Sequence, residues 1–229
     1  MPFSDSLDFS TVLATIVHDI KNSLSLLNQS IESMAMDPEQ THKTRRELAR
    51  LYYESSRING TLVQLLAIFR SDQKMFGVNI THAFIADLLT DLFDRYRWLA
   101  QQQGIDILIE VDEDLTWHCD TELIQLLLGD IIVNSIRYCK KTIKIVAYNA
   151  DNTLEIKIND DGDGYPDDII DLAKLDKPSL SMLSQNRSGL GLYFAKLIAR
   201  AHKNHSLCGS VILKNNGPLG GSEFILRLP

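Results

Sequence analysis

Two different spacings of apolar residues divide the chain. Leu13, Ile16, Ile20, Leu24, Leu27, Ile31 and Met34 recur in steps of three and four, the mark of one face of an α-helix. Leu48, Leu51, Ser55, Ile58, Leu62, Leu65 and Phe69 repeat that spacing, and "MDPEQTHK" between the two sets supplies the proline and polar cluster of a break. The pattern predicts a helical hairpin. Two helices with one long apolar stripe each cannot hide those stripes from water alone, so the pattern further predicts pairing with a second hairpin into a four-helix bundle, a homodimer.

The helical spacing stops at "SDQKMFGVNI", a polar, glycine-containing stretch read as a linker, with domains expected over 1–72 and 77–229. Beyond it the pattern becomes mixed. "THAFIADLLTDLFDRYRWLAQQQG" reads as a helix stopped by glycine, and "IDILIEV" alternates like a strand. "CDTELIQLLLGDIIVNSIRYC" reads as a helix capped by Asp120 or Thr121. "TIKIVAYNADNTLEIKIND" is two alternating runs around a turn-forming "NADN", an antiparallel hairpin. An irregular stretch, a helix from Gly191 to about Lys203 and two strands, "SVILKN" and "SEFILRL", complete the chain. This order predicts an α+β sandwich with helices on one face of an antiparallel or mixed sheet.

Composition removes several classes of function. A net charge of -7 disfavours nonspecific nucleic-acid binding, which draws on Lys and Arg against phosphate. No apolar run reaches the roughly 20 residues of a membrane span, and "MPFSDSLDFS" lacks the form of a signal peptide. Cys119, Cys139 and Cys208 are scattered and odd in number, which suits a reducing, cytoplasmic location. His202 and His205 form an H-x-x-H without a third ligand at convincing spacing, so no metal site is assigned to them.

"HDIKNSL" carries the first candidate chemistry. On a helical wheel His18 falls opposite Ile16, Ile20, Leu24 and Leu27, with Asp19 beside it and Asn22 one turn on. A solvent-facing imidazole with a carboxylate neighbour to fix its tautomer is suited to nucleophilic catalysis. In the second half, "INDDGDGYP" follows a strand and holds Asp160, Gly162 and Gly164 in D-x-G-x-G spacing, while "RSGLGLYFAKLIARAH" places Gly189 and Gly191 before a helix. Glycines there let backbone N–H groups approach phosphates, and an aspartate just after a strand can accept a hydrogen bond from an exocyclic amine.

Together with "DIIVNSIRY", these stretches resemble the H, N, G1 and G2 boxes of two-component sensor histidine kinases, in the family's order and across nearly the whole chain. The resemblance implies a dimerisation and histidine-phosphotransfer hairpin followed by an α/β sandwich ATP-binding domain of the type shared with gyrase and MutL. It implies that His18 accepts the phosphoryl group, Asp19 polarises it and Asn22 orients water for dephosphorylating the partner. Asn134 matches the magnesium-coordinating asparagine, Arg137 a phosphate-reaching base, Tyr138 an aromatic packed on adenine and Asp160 the adenine-reading aspartate. Gly162, Gly164, Gly189 and Gly191 match glycines that shape the nucleotide pocket and its lid, where Lys174, Lys177 and Arg187 would also lie. The implied cofactors are ATP and Mg2+. The implied partner is a response-regulator receiver domain, which takes the phosphoryl group from His18; because the hairpin begins within the first dozen residues, the signal is expected to come from a separate sensor protein or to act directly on this core.

The chain departs from that family at four places. Ser23 stands where a proline is common, no phenylalanine lies between Gly164 and Gly189, and Arg187 replaces the first glycine of the G2 pattern. Asp130 occupies a position where related kinases carry asparagine and related ATPases a glutamate base, so hydrolysis of ATP is a further expectation. Three functions stay open on the sequence: an active histidine kinase, a phosphotransferase relay with a degenerate second domain, and an ATPase.

Overall fold

The computed structural model describes residues 9–35, 37, 40–72, 77–175 and 190–229. The chain divides into two compact units, Met1–Phe76 and Gly77–Pro229.

The first unit is two helices, α1 (Phe9–Ala35) and α2 (His42–Asp72), packed against each other. Ile31 and Ala35 of α1 and Leu48, Ala49, Tyr52 and Ser55 of α2 are buried. The Asn28 amide donates to the Ser56 hydroxyl at 3.3 Å across the pair, and Arg45 donates to the Asp37 carbonyl at 3.1 Å near the connection. Ile20, Leu27 and Met34, seven residues apart, are exposed on α1, as are Leu51 and Ile58 on α2. The α1 ladder is continuous through position 23, where the Ser23 hydroxyl donates to the Asp19 carbonyl at 3.0 Å. A proline at 23 would clash with that same carbonyl, so serine keeps the helix regular where the resembled family commonly has proline.

The second unit holds β1 (Thr81–Phe84), α3 (Ile85–Gln103), β2 (Asp106–Val111), β3 (Thr116–Cys119), α4 (Thr121–Tyr138), β4 (Thr142–Ala150), β5 (Thr153–Asp160), α5 (Asp167–Lys174), α6 (Leu190–Ala201), β6 (Lys203–Asn204), β7 (Leu207–Cys208), β8 (Ser210–Asn215) and β9 (Ser222–Leu228). Five strands form one sheet in the order β2-β4-β5-β9-β8, with β2 and β4 parallel and the other pairs antiparallel. The row Ile145, Ile158, Phe224 and the neighbouring Ala147, Ile156, Leu226 are buried on the side covered by α3, α4 and α6. The opposite side is polar. There Glu155 accepts from the Tyr148 hydroxyl and from Arg227 Nε, both at 2.7 Å, and pairs with Lys157 at 3.2 Å.

Local chemistry explains most of these bounds. The β4–β5 turn puts Asp151 and Asn152 at φ 49° and 63°, the left-handed pair that a two-residue hairpin needs and that Asp and Asn tolerate. Asp120 caps α4 by accepting from Leu123 N at 3.0 Å, and Gly104 ends α3 at φ 69°. Two readings of the sequence are corrected. "THAF" is strand β1, paired with β3, and the helix begins only at Ile85. The irregular stretch after Asp160 contains α5, which opens behind Pro166 with Asp167 and Asp168 in its first turn, a sound helix start. Among the described residues no helix is long and apolar enough to cross a membrane.

Candidate functional site

Asp160 ends β5 with its side chain buried, 4% exposed. Its Oδ1 accepts from Gly162 N at 2.9 Å and from Ser222 N at 3.1 Å, and its Oδ2 accepts from the Ser222 hydroxyl. A carboxylate offers about four lone-pair positions. Three are taken by described residues, which leaves one for an outside N–H donor.

The surrounding loop closes only because it contains glycines. A Cβ on Gly162 would lie 2.6 Å from the Tyr138 carbonyl oxygen, and one on Gly221 would lie 2.5 Å from Gly162 N. Gly164 adopts φ 84°. Behind it the Asn215 side chain clamps the Tyr165 peptide from both sides, accepting from its N–H at 2.7 Å and donating to its carbonyl at 2.8 Å. Burial pushes the Tyr165 phenol well above its ordinary range, and Ser222 hydrogen-bonds it.

The same loop is fastened to the end of α4. Asp161 Oδ1 accepts from Lys140 N at 2.8 Å and Lys141 N at 3.0 Å; burial would raise this carboxyl, but the backbone donors outweigh it and hold the pKa below its ordinary value. Lys140 also pairs with Asp163 at 2.8 Å. These bonds bring Tyr138 beside Gly162. Asn134, Arg137 and Tyr138 are exposed on α4, with the Arg137 guanidinium 5.3 Å from the Tyr138 ring centre. The structure therefore assembles Asp160, Gly162 and Gly164 with the C-terminal end of α4 as one surface. Cys139 sits in it, but burial followed by the charges of Asp161 and Asp160 pushes its thiol up to about 12, so it is no nucleophile.

The other sequence candidates fall as follows. Gly191 lies in the first turn of α6. Gly189, Lys177 and Arg187 lie outside the described residues, and Lys174 is the last residue of α5, paired with Asp171 at 2.8 Å. Asp130 is half-buried and, behind the larger effect of burial, helps raise the phenol of Tyr96, which α3 presses against Gly129. His18 lies within α1, and Asp19 and Asn22 are exposed there. His202 is a core residue, accepting from Asp120 N at 3.0 Å and hydrogen-bonded through Nδ1 to the Ile198 carbonyl at 2.8 Å. Among the described residues no three His, Cys, Asp or Glu side chains could hold a metal together. An open cleft of about 580 Å³ at the β2 edge, lined by Glu110, Asp112, Asp114 and Tyr148, contains none of these candidates.

Ser222, Gly221, Asn215 and Tyr165 are absent from the sequence-based site. "GGSEF" could have flagged the first two, since paired glycines before a strand signal a close backbone approach.

Residues 119–229 match the family described as histidine kinase-, DNA gyrase B-, and HSP90-like ATPase. Signal transduction histidine-protein kinase AfsQ2 of Streptomyces coelicolor is 26% identical over 77% of this chain and 31% of its own length. Sensor protein SrrB of Staphylococcus aureus is 27% identical over 95% of this chain and 37% of its own length. The chain thus spans about a third of the length of these curated relatives. Among solved structures, the Acinetobacter baumannii histidine kinase AdeS is similar at TM-score 0.59 and 16% identity, over 90% of this chain and 95% of that one. Full-length ShkA with AMPPNP is similar at TM-score 0.63 and 20% identity, over 96% of this chain and 45% of that one. A polar strand end built on a buried carboxylate, closed by glycines and fastened to the loop after α4, thus lies within the stretch, residues 119–229, that matches this ATPase family, and the sandwich that carries it shares its fold with solved histidine kinases.

Proposed function

We propose that this chain is the catalytic core of a sensor histidine kinase that transfers the γ-phosphoryl group of ATP to His18 and from there to an aspartate of a response-regulator receiver. The observation that carries the reading is the Asp160 carboxylate, buried, ionisable and left with one open lone pair beside glycines that a Cβ would block. Adenine presents the exocyclic N–H donor that such a group accepts. The residues suit the rest of the nucleotide as well: Tyr138 offers an exposed aromatic face, and Arg137 and Asn134 project three residues apart from one side of α4. Asn134 would hold Mg2+, which neutralises charge on the phosphates when bound.

Within this proposal His18 attacks through a neutral ring nitrogen; the bond to the transferred phosphorus forms as the β–γ bridge breaks and ADP departs. Asp19 accepts the opposite ring N–H, and Asn22 orients water for dephosphorylating the receiver. The exposed heptad positions Ile20, Leu27, Met34, Leu51 and Ile58 support homodimerisation into a four-helix bundle. The protein acts in the cytoplasm.

Incubation with γ-labelled ATP and magnesium tests this. Wild type acquires acid-labile label, His18→Gln acquires none while still binding ADP, and Asp160→Asn loses both. Label that persists in His18→Gln, or calorimetry showing no heat with ADP for the wild type, overturns the reading.

A further inference from the structure

β1 and β3 form a two-stranded ribbon apart from the main sheet, and His82 stands directly opposite His118 in its register. Ile85 N donates to the Leu115 carbonyl at 2.9 Å, which makes 85 and 115 a hydrogen-bonded pair. Alternation along the antiparallel ladder then makes 82 and 118 a non-hydrogen-bonded pair, the kind in which opposing side chains approach most closely. Both histidines are exposed, on the ribbon face opposite the buried Cys119. Their ring centres are 5.3 Å apart, and no hydrogen bond engages either imidazole among the described residues. The Phe84 ring meets His82 edge-on at 5.9 Å.

We infer that His82 and His118 form a two-histidine site for a divalent transition-metal ion of the zinc, nickel and copper class. A tetrahedral ion bound by one nitrogen of each ring at about 2.0 Å places the two ring centres about 5 Å apart, close to the separation found. Imidazole is the ligand that this class of metal favours, and the paired strands fix both donors before the ion arrives. Water completes the coordination sphere, so the affinity is micromolar, below that of a closed structural site. The consequence is mechanical. β1 is the first strand of the second unit, and β3 runs through Cys119 directly into Asp120, the cap of α4. A bound ion clasps these two segments together and raises the melting temperature of the unit.

Zinc and nickel chloride titrations of the full chain, read by calorimetry and by melting temperature, test the assignment. Wild type and the control His205→Asn bind one ion at this site with a melting temperature that rises and returns on adding chelator. His82→Asn and His118→Asn each weaken that binding at least tenfold, and the double variant abolishes the thermal shift. Protection of both imidazoles by zinc from diethylpyrocarbonate, read by peptide mass spectrometry, gives the same answer on unmodified protein. Unchanged metal binding in the double variant, or equal acylation of His82 and His118 with and without zinc, overturns the inference.

Discussion

In the second unit Leu89, Leu128, Ile145, Ile156 and Phe224 are fully buried within one chain, whereas in the hairpin Leu26, Leu27, Met34, Leu51 and Ile58 are each roughly half exposed. A sheet covered by three helices has enough layers to close its own core. Two helices do not, because each presents more apolar arc than one neighbour can cover. The second unit therefore draws its stability from its own chain, while the hairpin leaves an apolar stripe exposed, the seam of the proposed homodimer. The polar groups differ in the same sense. The Asp160 oxygens are matched and Asn159 Oδ1 beside them is not, whereas in the hairpin Asn28 Oδ1, Arg45 Nε, Ser55 Oγ and Asn59 Oδ1 all lie buried with no partner among the described residues. Each unmatched buried polar atom forfeits its hydration, at a cost of about 1–3 kcal/mol, so the hairpin alone is the less stable unit.

Substitutions separate the two units by size of effect. The largest is expected from Leu27→Lys combined with Ile58→Lys: each position counts twice in a symmetric dimer, so the dissociation constant should rise at least a thousandfold, about 4 kcal/mol or more. Light scattering across a dilution series would read it, and an unchanged mass would remove the seam as a dimer interface. Phe224→Ala should destabilise the second unit by roughly 3–5 kcal/mol through a cavity in a closed core, with no dependence of dimer mass on the substitution. Denaturant unfolding checks that contrast.

Asp120→Ala comes next. One oxygen accepts from Leu123 N at the start of α4, and the other from Asn79 N at 2.8 Å, so the change removes a cap and a loop anchor for about 1–3 kcal/mol. The smallest effect belongs to Glu155. Burial would raise its pKa, but the hydroxyl of Tyr148 and the cations Lys157 and Arg227 prevail and hold it below its ordinary value of 4.5. A carboxylate depressed in the folded state adds stability that is fully present above its unfolded pKa and is lost as pH falls through the folded one. Tyr148→Phe should therefore lower stability by about 1 kcal/mol at neutral pH and flatten its decline below pH 4.5. A pH series of urea midpoints measures both, and parallel curves would exclude Glu155 as the titrating group.

How far the sequence discloses this architecture depends on how local each determinant is. The β4–β5 hairpin is legible because alternation and two left-handed turn residues, Asp151 and Asn152, sit within a single stretch. The bounds of α3 are only half legible: Gly104 marks its end, but Thr81 to Phe84 form a strand because β3, more than thirty residues on, supplies the partner. The site divides likewise. Asp160, Gly162 and Gly164 announce themselves in one motif, whereas Ser222 lies 62 residues away and reaches Asp160 only through the register of β5 and β9. Asn215 is further still from notice, since an asparagine at the end of a strand has no sequence signature for clamping a distant peptide. On α1 the periodicity identifies the apolar positions, but the burial of Ile31 beside the exposure of Ile20 and Leu27 depends on where α2 lies.

The serine at position 23 has a consequence for how force travels in the hairpin. With its N–H kept and its hydroxyl added to the Asp19 carbonyl, the segment around His18 lacks the built-in elbow that an imino acid would install. A push on one end of such a shaft emerges at the other as rotation or tilt of the entire rod. Under the proposed function, a stimulus would reach the segment that carries His18 as a turn or tilt of the whole helix, like a key turned in a lock, and not as a flexing of its stem.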